Sequence, residues 1–405
     1  MRIPVVYLLC ARQDYAAALR YADGLQDRRI DCKAVDADIV TTLAPLLARD
    51  AKVVLFCATR AWPFGALTDE LYNLDGRDAS ALCIFTTDAM PPPLQAQQSI
   101  RIINAGLIGL DRGLAHLLHF IFAPPRNVEL ICVPSQMMQV TGVSWWQDEE
   151  LIVADEYFGH VLRIRKRHEA TVLLVGLDEP YHLHLDRRIL AVSDLGANEI
   201  LIGRMVLGAL TDVIAIPAAA HERFKRPHGV FQGMGFSVIA DTDNHRVLWK
   251  TPHIRNSEKG WNEIRDGFRF PHAVCADRAQ IWVADTSNQR LIRLRPTATK
   301  LERVEYTMQH LPRDASPVGV CRTNRYLLVS DDANGCVSVF KVPDRGGTLP
   351  LVVRSLLADF VASPLGLSVN RTGRLAIADR GRGVVWVSNL ESLLSDSASH
   401  EVPHA

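Results

Sequence analysis

Three histidines fall just after prolines in similar short stretches: Pro180-Tyr-His-Leu183, Pro227-His-Gly-Val230 and Pro271-His-Ala-Val274. A neutral imidazole is a common metal ligand and accepts protons near neutral pH, so His182, His228 and His272 are candidates for metal binding, proton transfer or ligand contact. A second set is acidic. Asp155, Asp194, Asp241, Asp285, Asp331 and Asp379 each close an Ala-Asp or Ser-Asp pair. Calcium binding or catalysis would use such carboxylates, but recurrence at one turn is better explained by a structural role. The eight cysteines (Cys10, Cys32, Cys57, Cys83, Cys132, Cys275, Cys321 and Cys336) are dispersed, with no pair at zinc-site spacing. Several lie within apolar runs, such as Val53-Val-Leu-Phe-Cys57, and read as reduced, buried thiols.

The elements that must position these residues are repeated. The quartets Pro227-His-Gly-Val230, Pro271-His-Ala-Val274, Pro317-Val-Gly-Val320 and Pro364-Leu-Gly-Leu367 each lead into an apolar strand ending at one of the aspartates. Weaker copies begin at Val140-Thr-Gly-Val143 and Pro180-Tyr-His-Leu183. In all six copies the quartet starts 14 or 15 positions before its aspartate, and an aliphatic residue (Val161, Ile200, Val247, Leu291, Val337, Val385) follows 6 positions after it. Runs such as Gln280-Ile-Trp-Val-Ala284 are strands by alternation and β-propensity, and the aspartate opens a turn, often with Asn three residues on. With a fourth strand each copy is one blade, and six copies predict a six-bladed β-propeller over residues 140–392.

This pattern resembles the NHL repeat family, whose propellers bind RNA, protein or small molecules, with lyases and lactonases among their relatives. The sixth copy ends near Asn389 without a fourth strand, and Val128-Glu-Leu-Ile-Cys-Val133 is a spare strand before the first copy. It is expected to complete the last blade, within a segment 124–139 that also serves as linker, and residues 393–405 form a polar tail. Trp145 and Trp146 alternate faces in a strand, so one is expected in the core and the other exposed. His182 stands one position out of register, and the fifth and sixth copies carry Val318 and Leu365 where histidine would complete a ligand set. A channel lining that contacts a small ligand is therefore expected, with no resident metal.

Residues 1–123 alternate apolar runs with helical periodicity. Strands are expected at Val5–Cys10, Cys32–Val35, Lys52–Cys57, Ala81–Phe85 and Ile100–Asn104, and helices at Tyr15–Gln26, Ile39–Arg49, Ala66–Leu74 and Leu110–Phe122. Such alternation predicts an α/β domain with a parallel, flavodoxin-like sheet covered on both faces. No GxGxxG or Walker A sequence is present, which argues against a dinucleotide-binding Rossmann unit or a P-loop NTPase.

The run Leu9-Cys-Ala-Arg-Gln-Asp14 is similar to the opening of a TIR (Toll/interleukin receptor) domain, and the strand Val53–Thr59 followed by Asp69-Glu70-Leu71 is similar to that family's strand-loop-helix. The resemblance implies a TIR-like head, cleavage of NAD as substrate with no cofactor, Glu70 as the catalytic carboxylate, and Arg12, Asp14, Thr59 and Trp62 around the substrate. Loss of nicotinamide passes through an oxocarbenium-like state that a carboxylate stabilises. The family's Trp four residues before the glutamate is Ala66 here.

Lys plus Arg and Asp plus Glu number 45 each, so total charge favours neither nucleic acid nor an anionic membrane. The apolar run Ile3–Ala11 is too short for a membrane helix and reads as a first strand. Cytoplasmic localisation is the expectation. Three readings follow: a signalling or defence protein whose propeller senses a protein or small molecule and controls an NAD-cleaving head; a scaffold acting by self-association of the TIR-like domain; and a lyase or hydrolase whose propeller uses His182, His228 and His272.

Overall fold

The computed structural model describes residues 4–37, 40, 42–47, 51–57, 64, 81–87, 101–105, 110–124, 127–133, 137–165, 169–216, 223–233, 236–250, 261–277, 280–296, 301–307, 315–342, 349–357 and 360–400. The chain divides into two compact units, residues 1–125 with 133–135 and residues 126–132 with 136–405. Among the described residues no helix is long and apolar enough to cross a membrane.

Among its described residues the first unit has five strands, β1 (Val6–Cys10), β2 (Cys32–Asp36), β3 (Lys52–Cys57), β4 (Leu82–Thr86) and β5 (Arg101–Asn104). They form one all-parallel sheet in the order β2-β1-β3-β4-β5. Parallel strands need crossover connections, and a sheet covered on both faces needs near-continuous apolar strands. Val53 to Phe56 and Leu82 to Phe85 meet that requirement, at 0% exposure. One face packs Val53, Leu55 and Cys57 against Leu43 and against Leu47 of the short helix α2 (Ala44–Leu47). On the other, Tyr21 of α1 (Tyr15–Gln26) lies 5.1 Å from Phe56 and 5.5 Å from Phe85, centroid to centroid. Helix α3 (Leu110–Phe122) places the Phe120 ring 4.7 Å from Lys52 Nζ. The expected helices Tyr15–Gln26 and Leu110–Phe122 are present at those bounds. Within the expected Ile39–Arg49 the helix is Ala44–Leu47, and Ala66–Leu74 lies outside the described residues.

The second unit is a six-bladed β-propeller of six four-stranded antiparallel sheets. The blades' inner strands are Val140–Trp146, Pro180–Asp186, Pro227–Gly233, Pro271–Ala276, Pro317–Arg322 and Pro364–Val369. The sixth sheet is completed by β6 (Val128–Ile131), which pairs antiparallel with Val384–Asn389 in the register Val385 to Ile131. The ring is thus closed by a strand from before the first blade, which leaves no open seam in that sheet.

The blade aspartates are structural. Asp241, fully buried, accepts the Lys225 N–H at 2.8 Å, Asn244 Nδ2 at 2.9 Å and Arg246 Nε at 2.6 Å. Asp285 repeats this set with Arg269, Asn288 and Arg290, each at 2.8 Å. Asp379 accepts the Ala362 and Ser363 N–H groups and Trp386 Nε1. Each carboxylate ties the loop entering its blade to the turn leaving it, which explains its recurrence without a metal.

Hydroxyls beside the aspartates join neighbouring blades. Thr242 Oγ1 donates to the Pro271 carbonyl at 2.7 Å, Thr286 Oγ1 to that of Pro317 at 2.6 Å, and Ser330 Oγ to that of Leu365 at 2.7 Å. The inner strands pack so closely that a Cβ on Gly319 would lie 2.0 Å from the Leu365 oxygen, and one on Gly229 would lie 2.6 Å from the His272 oxygen. That is why glycine recurs in the quartets.

Two expectations differ from the structure. Trp145 and Trp146 are both buried, because one packs into its blade and the other is covered by Arg374 of the adjacent sixth blade, 5.0 Å from the Trp145 ring. The tail after Asn389 begins as a helix, α4 (Leu390–His400), whose Leu390, Leu393 and Leu394 are buried. The apolar residues recurring at three- and four-residue spacing give it a buried face.

Candidate functional site: the propeller channel

Along each inner strand, side chains alternate, so the sites depend on register from the blade's first residue. The residue after Pro180, Pro227 and Pro271 is Tyr181, His228 and His272, and these three rings cluster. Tyr181 lies 4.6 Å from His228, His228 lies 4.2 Å from His272, and Tyr181 lies 6.4 Å from His272. The three histidines read from the sequence therefore do not form one set: Tyr181, not His182, stands with His228 and His272. His228 Nδ1 lies 2.9 Å from the Arg226 carbonyl, so that nitrogen donates. His272 Nδ1 is buried without a hydrogen-bond partner. Burial lowers both pKa values, His272 to about 4 and His228 well below its ordinary value, with repulsion between the two rings adding to the latter. Both are neutral at pH 7.

His182 occupies the position held by Gly142, Gly229, Ala273, Gly319 and Gly366 in the other blades. It points, with His184 two residues on, toward the inner strand of the third blade. Its Nδ1 is 3.4 Å from the Val230 nitrogen, while His184 Nδ1 is 3.2 Å from the Gln232 carbonyl and its ring 4.3 Å from Phe231. Ser193 Oγ accepts the His182 N–H at 2.9 Å and donates to the His228 carbonyl at 2.7 Å, fixing the two strands together. Burial lowers both His182 and His184 to about 4, and their mutual repulsion deepens the shift at His182.

His182 and His184 line a cavity of about 610 Å³ at the end of the channel where the inner strands finish. Every blade contributes its residue four places after the first: Ser144, His184, Phe231, Cys275, Cys321 and Ser368. Ser144 and His184 are held from the next blade. Ser144 Oγ accepts the Leu185 N–H at 3.3 Å, and His184 Nδ1 lies 3.2 Å from the Gln232 carbonyl. Trp145 Nε1 donates to the Ser368 carbonyl at 3.2 Å across the first and sixth blades. Arg322 also lines the cavity, its Nη1 2.5 Å from Asp277. Asp148, Asp186, Arg187 and Arg371 complete a polar rim. A volume within the usual 300–1,000 Å³ of ligand sites, with convergent donors, acceptors and aromatic faces, suits a small polar organic molecule. Among the described residues no group of three His, Cys, Asp or Glu side chains is placed to hold a metal.

Tyr181, His184, Cys275, Cys321 and Arg322 were not singled out from the sequence. The signal was present as a fixed offset from each quartet, four residues for the ring and one for the cluster, rather than as a shared residue type.

In the first unit, Asp14 ends a short 3-10 turn (Arg12–Asp14) directly after β1 and is buried at 1% exposure, while Arg12 is exposed. Burial raises the Cys10 thiol to about 11 and the Cys57 thiol to about 12, and Asp14 adds to both shifts. Asp14 thus follows the carboxyl end of β1, and β1 and β3 are the neighbouring strands between which the strand order reverses. Ligands of open parallel sheets bind at that place. Glu70, Thr59 and Trp62 lie outside the described residues.

No protein-family model matches the chain. No curated protein matches it either. Among solved structures, a gluconolactonase from Xanthomonas campestris is similar at 17% identity over 64% of this chain and 88% of that one, with a TM-score of 0.50. A streptogramin B lyase (14% identity, 64% and 96% covered, TM-score 0.47) and a virginiamycin B lyase from Staphylococcus aureus (12%, 65% and 99%, 0.45) are also similar. At these identities the likeness is one of fold, that of the six-bladed propeller.

Proposed function

We propose that the propeller is a receptor for a small polar organic molecule that seats in the channel cavity, and that it controls a TIR-like head. The observation that carries this reading is the ring of six side chains, one per blade, around a cavity of about 610 Å³. A blade interior needs apolar contacts, yet five of the six positions hold hydroxyl, imidazole or thiol groups, and Arg322 stands beside them. Such groups give a ligand orientation and specificity while Trp145, Trp146 and Phe231 contact its apolar parts. Polyhydroxy acids and their lactones make a sensible first panel, given the fold shared with a gluconolactonase. In thermal unfolding of the full-length protein, at least one member is expected to raise the Tm, and Ser144→Trp, which fills the cavity, is expected to abolish the rise. An undiminished rise in Ser144→Trp would place the ligand elsewhere.

The head reading rests on the strand order β2-β1-β3-β4-β5 and on Asp14 at its reversal point. It takes this flavodoxin-like domain as TIR-like, with NAD as substrate, Glu70 as the carboxylate that stabilises the oxocarbenium-like state, and Arg12, Asp14, Thr59 and Trp62 around it. The protein is then a signalling or defence protein of the cytoplasm, a reading supported by eight cysteines that form no disulfide among the described residues. Nicotinamide release from NAD on addition of the propeller's ligand, lost in Glu70→Gln, tests this reading. Release unchanged in Glu70→Gln would remove the enzymatic head and leave self-association.

A propeller-based hydrolase or lyase is a further reading, supported by the neutral imidazoles of His182 and His184 in the cavity, a form able to accept a proton. Turnover of a lactone from the panel, lost in His184→Ala, is its test.

A further inference from the structure

Six of the eight cysteines are buried: Cys10, Cys32, Cys57, Cys83, Cys132 and Cys336. The two that are partly exposed, Cys275 and Cys321, both open on the channel cavity. They hold the same register position in neighbouring blades, four residues after Pro271 and Pro317, on inner strands that pack side by side. These two strands are direct neighbours, and both residues line the cavity where the strands finish. Two thiols thus face one water-accessible space from adjacent strands.

Both thiols are protonated at neutral pH. Burial raises Cys321 to about 11 and Cys275 well above its ordinary value, with Cys321 adding repulsion and Arg322 partly opposing it. Free thiols of this kind are weak nucleophiles toward oxidants and ordinary alkylating agents. A soft, thiophilic centre behaves differently, because bond formation to sulfur itself displaces the proton, and thiolates are the ligands such centres select. With no third His, Cys, Asp or Glu donor brought to the pair among the described residues, a four-coordinate ion such as zinc is poorly served. A centre satisfied by two sulfurs is well served.

We propose that Cys275 and Cys321 form a dithiol site in the propeller channel for soft, thiophilic species that two sulfurs satisfy, of which trivalent organoarsenicals are the type. For a reagent R–As=O, two As–S bonds form while the As=O bond and both S–H bonds break, and the oxygen leaves as one water with the two thiol protons. Arsenic is trivalent before and after, so no oxidant or reductant takes part. The guanidinium of Arg322 faces the same cavity and favours the developing thiolates. The site is independent of whether the cavity also receives a polar organic molecule.

The test uses folded full-length protein and phenylarsine oxide, read by intact mass under native conditions. One adduct per chain is expected, reversed by the dithiol 2,3-dimercaptopropanol and persisting in excess monothiol. Cys275→Ser and Cys321→Ser are each expected to lose it, whereas Cys132→Ser, which changes a buried cysteine, retains it. If a serine variant fails to fold by circular dichroism, peptide mapping of the wild-type adduct decides, with arsenic expected to bridge the peptides that carry Cys275 and Cys321. An unmodified wild-type protein, an adduct surviving in both serine variants, or a bridge between any other pair would overturn the proposal.

Discussion

His228 and His272 come from neighbouring blades yet stack with ring centroids 4.2 Å apart and 27° between their planes, and both are neutral. Two adjacent imidazoles are stable in this arrangement only while neither carries a proton, since a charge on one raises the cost of a charge on the other.

A pH dependence of stability follows. His272 has its pKa lowered from 6.5 to about 4 by burial, with Asp332 opposing the shift and Arg226 adding to it. The unfolded chain therefore takes up this proton first as pH falls. The stabilisation is fully present above pH 6.5 and is lost as pH falls through about 4. Burial raises Asp155, Glu156, Asp194 and Asp379, whose contributions run the other way. The informative quantity is thus a difference between variants. In urea unfolding between pH 6.5 and 4, His272→Gln is expected to lose less stability than wild type, by up to one proton's worth of slope. Parallel curves for the two proteins would contradict it.

The ring-closing strand gives a second expectation. Leu130 is 3% exposed and pairs with Trp386, which is fully buried in the sixth blade. Leu130→Ala is expected to cost about 2–5 kcal/mol, as for other core leucines, read as a lower urea midpoint of the propeller. A chain beginning at residue 137 lacks the strand entirely and is expected to aggregate, because the sixth sheet is left with a bare edge. Stability equal to that of a chain beginning at 124 would argue against closure by this strand.

The buried ion pair of the third blade gives a third. Arg246 and Asp241 meet at 2.6 Å, with side chains only 2% and 0% exposed. Removing one partner strands the other charge in the interior, so Arg246→Ala is expected to destabilise by about 3–5 kcal/mol. The same change at Arg325, whose pair with Glu391 is exposed on both sides, is expected to fall within about 1 kcal/mol. Chemical unfolding of the two variants side by side is the check.

The fourth concerns packing about the axis. An alanine Cβ at Gly319 would come within 2.0 Å of the Leu365 backbone oxygen, whereas the fourth blade already carries Ala273 at that position. Backbone cannot give way as a side chain can, so Gly319→Ala is expected to cost about 1–3 kcal/mol. Ala273→Gly is expected to cost about 1 kcal/mol or less through backbone entropy. A clearly larger drop in melting temperature for Gly319→Ala than for Ala273→Gly is the expected result.

The propeller was legible because its signals are local and repeated. Each aspartate must be buried with its loop amides, and each quartet must let strands approach the axis, so the same residues recur at one spacing. The head's strands were legible for a related reason, since Lys52–Cys57 is apolar on both faces. The site was not legible in the same way. His182 drew notice by type, but its neighbour Tyr181 holds the register position that meets His228 and His272. Ser144, His184, Phe231 and Cys275 share a ring although their side chains differ in chemistry. A ring around an axis is set by offset within each blade, and only closure of six blades brings those offsets together. The tail helix Leu390–His400 was missed because its polar residues outnumber the three leucines that bury it.

A crystal structure of the full-length protein with the best stabilising member of the acid and lactone panel decides whether the channel cavity is the receptor site. The ligand is expected within the ring of Ser144, His184, Phe231, Cys275, Cys321 and Ser368, with a polar group in reach of Arg322. A ligand bound instead beside Tyr181, His228 and His272, or outside the channel altogether, would contradict it.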